Sequence, residues 1–335
     1  MILMADAGAT GSGAAAADGG AIDEGAADRE AVAREAVERS ANGDPALEVI
    51  AGRAAQVGTL PVRRLLPTRG RRTIGAWCFI DQIGPASFDP GDGMAVPPHP
   101  HIGLQTVTWL FNGAALHRDS LGTEQLIRPG QLNLMTAGRG IAHAEEDPDG
   151  SGGAVHGVQL WLAQPSATRA GSSSFEHLID LPVVDLGNGA ATVLIGPFGG
   201  AHSPARRDTD HAGVELDLRR GTTVLPLDPA YEHGLVVASG SLTGAGTRLA
   251  PGAVAYLAPG ADELAVTADG PARALLVGGV PFAEEVAMWW NFVARTQDEL
   301  AAAYRDWTAG SERFGTVTSS LPRIDVGPPS WFGVG

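Results

Sequence analysis

From Val62 onward, short apolar runs rich in Val, Ile, Leu, Thr and Trp alternate along the chain with clusters of Gly, Pro and Asp. AWCFI (76–80), TVTWLF (106–111), QLNLMT (131–136) and VQLWLA (158–163) form a first set, punctuated by turn signals such as FDPGDG and RPGQ. Runs of this length and composition predict strands. After the polar stretch QPSATRAGSSS a second set follows, ATVLIG, VELDL, LVVASG, VAYLA and ALLVGG. The order strand, glycine turn, strand, Pro-Gly turn, strand occurs in WLFNGAALHRDSLGTEQLIRPGQLNLMTAG and again in SGSLTGAGTRLAPGAVAYLAPG. This repetition predicts an all-β chain holding two copies of one small barrel. Near the C-terminus the pattern changes to a helical period: TQDELAAAYRDW offers a capping box from Thr296 to Glu299 and an apolar stripe at Leu300, Tyr304 and Trp307. That predicts a C-terminal helix with one face packed on the barrels.

Residues 1–47 differ in texture, being mostly Ala, Gly and acids; the first 50 residues hold 3 Arg against 10 acids. Too little apolar surface is present there to offset the ordering entropy, so a disordered acidic tail is expected, with one short helix starting at Asp28. The expected division is therefore a tail at 1–47, a first barrel at 48–170, a second at 171–282, and a C-terminal helix and tail at 283–335. The 46 glycines and 23 prolines fit many tight turns and disfavour a helical bundle. All 23 basic residues are arginine, which excludes Schiff-base chemistry and a lysine-bearing phosphate loop. A net charge of −15 disfavours a chain that coats nucleic acid or an anionic membrane. Cys78 is the single cysteine, so an intramolecular disulfide and a cysteine-rich zinc site are both impossible. With no signal-like start and no apolar run of spanning length, a cytoplasmic location is expected.

The segment PPHPHIGLQTVTWL sets His99 and His101 two residues apart. On an extended strand, residues i and i+2 share a face, so both imidazoles point into one cavity. GIAHAEE repeats the spacing with His143 and Glu145. A His-x-His pair alone is often incidental on a strand; joined to the second pair it points to a metal. Three imidazoles and one carboxylate suit one divalent transition metal, with Fe(II) the best fit among redox-active choices and Mn, Co, Ni and Cu as alternatives. Four protein ligands leave two octahedral positions open, which favours catalysis over a structural role.

The runs HPHIGLQTVTWLFNG, LHRDSLG, NLMTAGRGIAHAEE and HGVQLW resemble the pirin family, a branch of the two-barrel cupins, over about residues 60–310. The resemblance implies a bicupin with a metal in the N-terminal barrel, and its motif positions carry the family's ligands onto His99, His101, His143 and Glu145. It also implies a dioxygenase of the quercetin 2,3-dioxygenase kind, acting with O2 on a flavonol or related enolic aromatic; in such chemistry Glu145 is expected to balance the metal charge and, on loosening from the metal, to serve as the base. The alternative it implies is a redox-responsive regulatory protein that binds protein partners. Gln105 stands where many cupins carry a glutamate beyond the second histidine, and its neutral amide is expected to leave the site more cationic. His117 is a candidate for orienting substrate and Gln159 for holding the metal water or substrate. His156 is read as structural, Arg139 as fixing a turn through its guanidinium, and Cys78 as inert filler. His202, His211 and His233 in the second barrel form no His-x-His pair. The arginines of VRRLLPTRGRR are expected on the solvent face of an edge strand, with no direct nucleic-acid contact.

Overall fold

The structure, a computed structural model, describes residues 46–332 apart from Ser151. The expected tail helix at Asp28 lies outside them. Two units repeat one plan, each a seven-stranded sheet facing a four-stranded one. In the first unit the seven-stranded sheet runs Ser174–Leu178, Leu132–Thr136, Leu104–Asn112, Gly153–Ala163, Trp77–Phe88, Leu60–Leu66, Arg53–Val57. Its four-stranded sheet runs Ala95–His101, Ile141–Glu146, Ala115–Asp119, Glu124–Ile127. All pairings are antiparallel.

Side-chain parity explains the long apolar runs of the central strands. In Leu104–Asn112, Leu104 and Leu110 point into the first barrel, whereas Val107, Trp109 and Phe111 join a core with Leu194, Val236, Leu275 and Val277 of the second unit. Both faces are buried, so strict alternation of apolar and polar residues gives way to continuous apolar sequence. The two seven-stranded sheets thus pack against each other, tied also by Trp77 Nε1 to the Ala212 carbonyl (3.2 Å) and Trp109 Nε1 to Glu215 Oε2 (3.1 Å). Where only one face is buried, alternation returns, as in Glu263–Ala268.

Strands cross between the units at both ends of the first one. Glu48–Ala51 adds to the edge of the second unit's large sheet beside Ala253–Leu257, while Ser174–Leu178 adds to the first unit's sheet beside Leu132–Thr136. The C-terminal helix, Gln297–Thr308, starts at Thr296, whose side chain accepts from the Glu299 N–H. The Glu299 carboxylate reaches back to the Arg295 N–H (2.8 Å), one residue before the cap. Leu300, Ala303 and Trp307 pack on Ile102, Ala142, Trp290 and Phe292, so the helix covers the outer face of the first barrel. Among the described residues, no helix is long and apolar enough to cross a membrane.

Arg63, Arg69 and Arg72 of the arginine cluster are exposed as expected and Arg71 is half-buried, but Arg64 is not on the solvent face and the strand is not an edge strand. Leu60–Leu66 lies one strand in from the edge, and Arg64 points into the barrel, where it grips Asp81. Leu60, Val62 and Arg64 face inward, before the register shifts and Leu65 and Leu66 turn to the inter-barrel core, so the charge is taken inside with its partner. Arg139 also differs from expectation: its side chain is exposed, and its backbone makes the turn contacts, N–H to Gly171 and carbonyl to Arg313.

The second-unit histidines are set apart: His202 is exposed on a small hairpin, His211 packs edge-on against Trp77 between the barrels, and His233 lies inside. Burial lowers the pKa of both His211 and His233 to about 4. In the unfolded chain each titrates near about 6.5, so between those values the unfolded state binds more protons and stability falls with falling pH. The urea midpoint is expected to hold above about pH 6.5, to drop as pH falls toward 4, and to drop less in a His211→Gln variant.

Candidate metal centre

Two neighbouring strands carry the four predicted ligands. Ala95–His101 presents His99 and His101 on its inward face; Ile141–Glu146 pairs with it so that His143 lies opposite His99 and Ile141 opposite His101. The register shifts between His143 and Glu145, and on the other side Glu145 lies opposite His117 of Ala115–Asp119. The ring centroids of His99, His101 and His143 are 4.4 to 4.9 Å apart.

The outer nitrogens are fixed by the backbone. His99 Nδ1 lies 2.8 Å from the Pro97 carbonyl, and His101 Nδ1 lies 3.0 Å from the Asn291 carbonyl. A carbonyl can only accept, so each Nδ1 carries the proton and each Nε2 keeps a free lone pair. His101 Nε2 and His143 Nε2 are 3.0 Å apart. Two lone pairs facing at that distance repel unless a cation or a proton lies between them. Burial, reinforced by neighbouring imidazoles, holds His101 and His143 well below the usual histidine range, and burial lowers His99 to about 4. Neutral, pre-oriented imidazoles are what a divalent cation requires. The donor set therefore fits a metal.

Glu145, 8% exposed, has its carboxyl pushed upward by burial, against the opposing effects of His117 and Thr108. Thr108 Oγ1 lies 3.1 Å from Glu145 Oε1 and 3.0 Å from Gln159 Oε1. One hydroxyl has one proton, so both contacts are satisfied together only with the Gln159 amide turned over, its NH2 donating to Thr108 while Thr108 donates to Glu145.

Two three-donor groups share His143: His99, His101 and His143 form one, His117, His143 and Glu145 the other. His117 is buried, with Nε2 3.1 Å from Asp119 Oδ2, Nδ1 3.4 Å from His143 Nδ1, and its ring stacked on Phe175 at 4.4 Å. It is thus part of the donor cluster rather than a side chain at the barrel mouth. Gln159 lines the same cavity, as expected for a contact to the site. Gln105 does not: its amide donates to Thr136 at 3.0 Å, on the strand face shared with Val107 and Trp109. Its neutral amide therefore does not set the charge at the histidines. His156 lies on that same inter-barrel side, 5.0 Å from Phe111. Cys78 is fully buried and its thiol is pushed up to about 12, consistent with inert filler.

Sequence reading missed Thr108, Asp119, Arg64, Asp81 and Asn291. Asn291 lies in a C-terminal hairpin, Ala287–Trp289 with Phe292–Ala294, that docks on the first barrel through Ile102 and Phe292. The turn residue Trp290 takes a φ of 54°, held there by burial of its indole. Arg64 binds Asp81 through two hydrogen bonds, of 2.8 and 2.7 Å, with its guanidinium 4.4 Å over the Phe79 ring. Asp81 borders the cavity between the histidines and an apolar wall of Val57, Leu60, Val62, Ile83, Val96 and Trp161.

The family models for Pirin and for the Pirin C-terminal cupin domain match residues 59–162 and 213–315. A Pseudomonas aeruginosa relative named "Putative quercetin 2,3-dioxygenase" is 46% identical over 289 residues, covering 85% of this chain and 91% of the relative. A "Pirin-like protein" of Caulobacter vibrioides is 34% identical over 286 residues, covering 83% and 96%. The crystal structure of quercetin 2,3-dioxygenase from Acinetobacter baumannii superposes with a TM-score of 0.83 at 40% identity, covering 87% of this chain and 97% of that one. With two stacked barrels, a histidine cluster in the first of them, and relatives spanning nearly the whole described chain, this protein belongs to the pirin family of bicupins.

Proposed function

We propose that this chain is a metal-dependent dioxygenase acting with O2 on a flavonol or a related enolic aromatic, its metal held by His99, His101, His143 and Glu145. The observation that carries this reading is the orientation of two imidazoles by the Pro97 and Asn291 carbonyls, which leaves neutral nitrogens converging beside a carboxyl of raised pKa. The names of the Pseudomonas and Acinetobacter proteins support it. Fe(II) is the metal we assign, with Mn, Co, Ni and Cu as alternatives; a bound divalent ion supplies Lewis acidity that eases ionisation of an enolic hydroxyl. Glu145, on loosening from the metal, takes the hydroxyl proton at Oε. Thr108 and Gln159 hold that carboxyl in place, and His117, held by Asp119, backs His143. Val96, Phe79 and Trp161 keep water from the reacting centre.

The cavity holds about 30 Å3 of free space, room for about one water. A flavonol therefore requires the outer hairpin of Arg53–Val57 and Leu60–Leu66, which supplies Val57, Leu60 and Val62 to the wall, to move outward. The same narrowness favours a second reading, a redox-responsive regulator that binds protein partners through its surface while the buried metal changes oxidation state. Equal partner affinity with the metal reduced and oxidised would exclude that reading.

The test of the dioxygenase reading is carbon monoxide release from quercetin by anaerobically iron-loaded protein on admission of oxygen. Release that requires both iron and oxygen is the expected result. No release from protein shown to hold one iron per chain would overturn it.

A further inference from the structure

A cavity roomier than the one at the histidine cluster lies elsewhere in the protein. It opens into the second barrel, with about 330 Å3 of free space. Its floor is the inner face of the large sheet, with Ala212, Val214 and Leu276. Its rim is made by the Pro197–Gly200 turn on one side and the Pro226–Pro229 loop on the other. At the bottom sits His233, 5% exposed; its Nδ1 has no hydrogen-bond partner among the described residues and is closed even to water, so a hydroxyl in the cavity reaches that atom only when the ring turns. Tyr231 beside it is already engaged, its hydroxyl donating to Asp210. A buried polar atom left unpaired costs free energy comparable to a lost hydrogen bond, so such atoms in native proteins call for a specific reason.

Gly278 shows how the space is kept. A Cβ at this position would lie 2.7 Å from His233 Cδ2 and 2.9 Å from the Glu232 carbonyl, so a side chain here would push the imidazole off the sheet. The absence of a side chain at Gly278 leaves room for the imidazole, while the walls above it are largely apolar. Burial keeps this imidazole neutral at physiological pH, so the site carries no cation to attract a carboxylate or phosphate, and Asp228 at the rim disfavours anions further.

We propose that the second barrel holds a ligand site of its own, for a small neutral aromatic alcohol whose ring lies among Phe198, Val214, Leu276 and the rim prolines and whose hydroxyl bonds the His233 imidazole. The size lies at the lower end of pockets that bury small ligands, and one polar group among apolar walls is the usual arrangement for orienting one. Flat, rigid rings bury much apolar area at little conformational cost. The site needs neither a metal nor the histidine cluster of the first barrel.

2-Naphthol serves as the probe, titrated calorimetrically into the full chain. One molecule per chain is expected, with the same affinity in a His99→Ala, His101→Ala variant, since the first barrel takes no part. His233→Phe keeps the ring shape and removes the hydrogen bond, and is expected to weaken binding at least tenfold. In the wild-type protein, contacts from the naphthol protons to the Val214 and Leu276 methyl groups, read by nuclear Overhauser effects, locate the site independently of whether the His233 variant folds. Absence of binding up to the solubility of 2-naphthol, equal affinity in folded His233→Phe, or loss of binding in the His99, His101 variant would each overturn the proposal.

Discussion

Replacing His99 and His101 together by alanine is expected to abolish metal binding, and with it all oxygen-dependent turnover of quercetin. Both imidazoles are aimed by backbone carbonyls at the same point, and no water or rotamer change can restore two nitrogens there. Glu145→Gln is expected to behave differently. The amide keeps an oxygen that accepts from Thr108, so the local hydrogen bonds survive and a substantial share of metal stays bound. It cannot take a proton, however, and turnover should fall by about 10² to 10⁴. Metal content by mass spectrometry, read beside the oxygen consumption rate, separates the two outcomes. Full activity in Glu145→Gln would remove that residue from proton transfer.

The contrast between His101 and Gln105 shows what a sequence can and cannot disclose about such a site. A period of two correctly places His99 with His101 and His143 with Glu145, because each pair lies on one strand. Carried on to position 105, the same period fails. The chain turns between the strands at Gly103, with a φ of 66°, and the alternation restarts at Leu104. Gln105 then faces the other barrel, and Thr108 faces Glu145. Two-barrel architecture was legible because turn signals repeat, but the strands exchanged between the barrels, Glu48–Ala51 and Ser174–Leu178, were not. Their partners lie roughly 200 and 40 residues away, and nothing local to a strand marks which sheet it will join. Asn291 escaped notice for a related reason: it contributes a carbonyl, which every residue possesses, and only the fold brings it to His101.

Arg64 escaped notice because an arginine on a strand ordinarily faces water, and its inward position leads to the largest stability effect we expect. The Arg64 and Asp81 side chains are each 2% exposed and joined by two short hydrogen bonds. Burial drives the Asp81 pKa upward in spite of the adjacent guanidinium, a sign that desolvation weighs heavily at this spot. Removing one partner leaves the other charge buried and uncompensated, so Asp81→Leu and Arg64→Met should each cost about 3 to 5 kcal/mol. Removing both leaves two apolar side chains of similar volume beside Phe79 and Ile83, and the double variant should recover most of that loss, since hydrophobic replacements of buried ion pairs are often neutral or better. Urea unfolding of the four proteins closes the cycle. Single variants that lose less than about 1 kcal/mol, or a double variant whose loss equals the sum of the two, would show that the pair is not held as a unit. Recovery of stability has a further consequence for the metal centre. Asp81 borders the cavity that His99, His101 and Glu145 share, so a stable double variant separates what the ion pair does for the fold from what it does for substrate. Turnover lost in a protein of restored stability would place the pair among the groups that receive the polar end of the substrate, and retained turnover would confine it to holding the barrel wall.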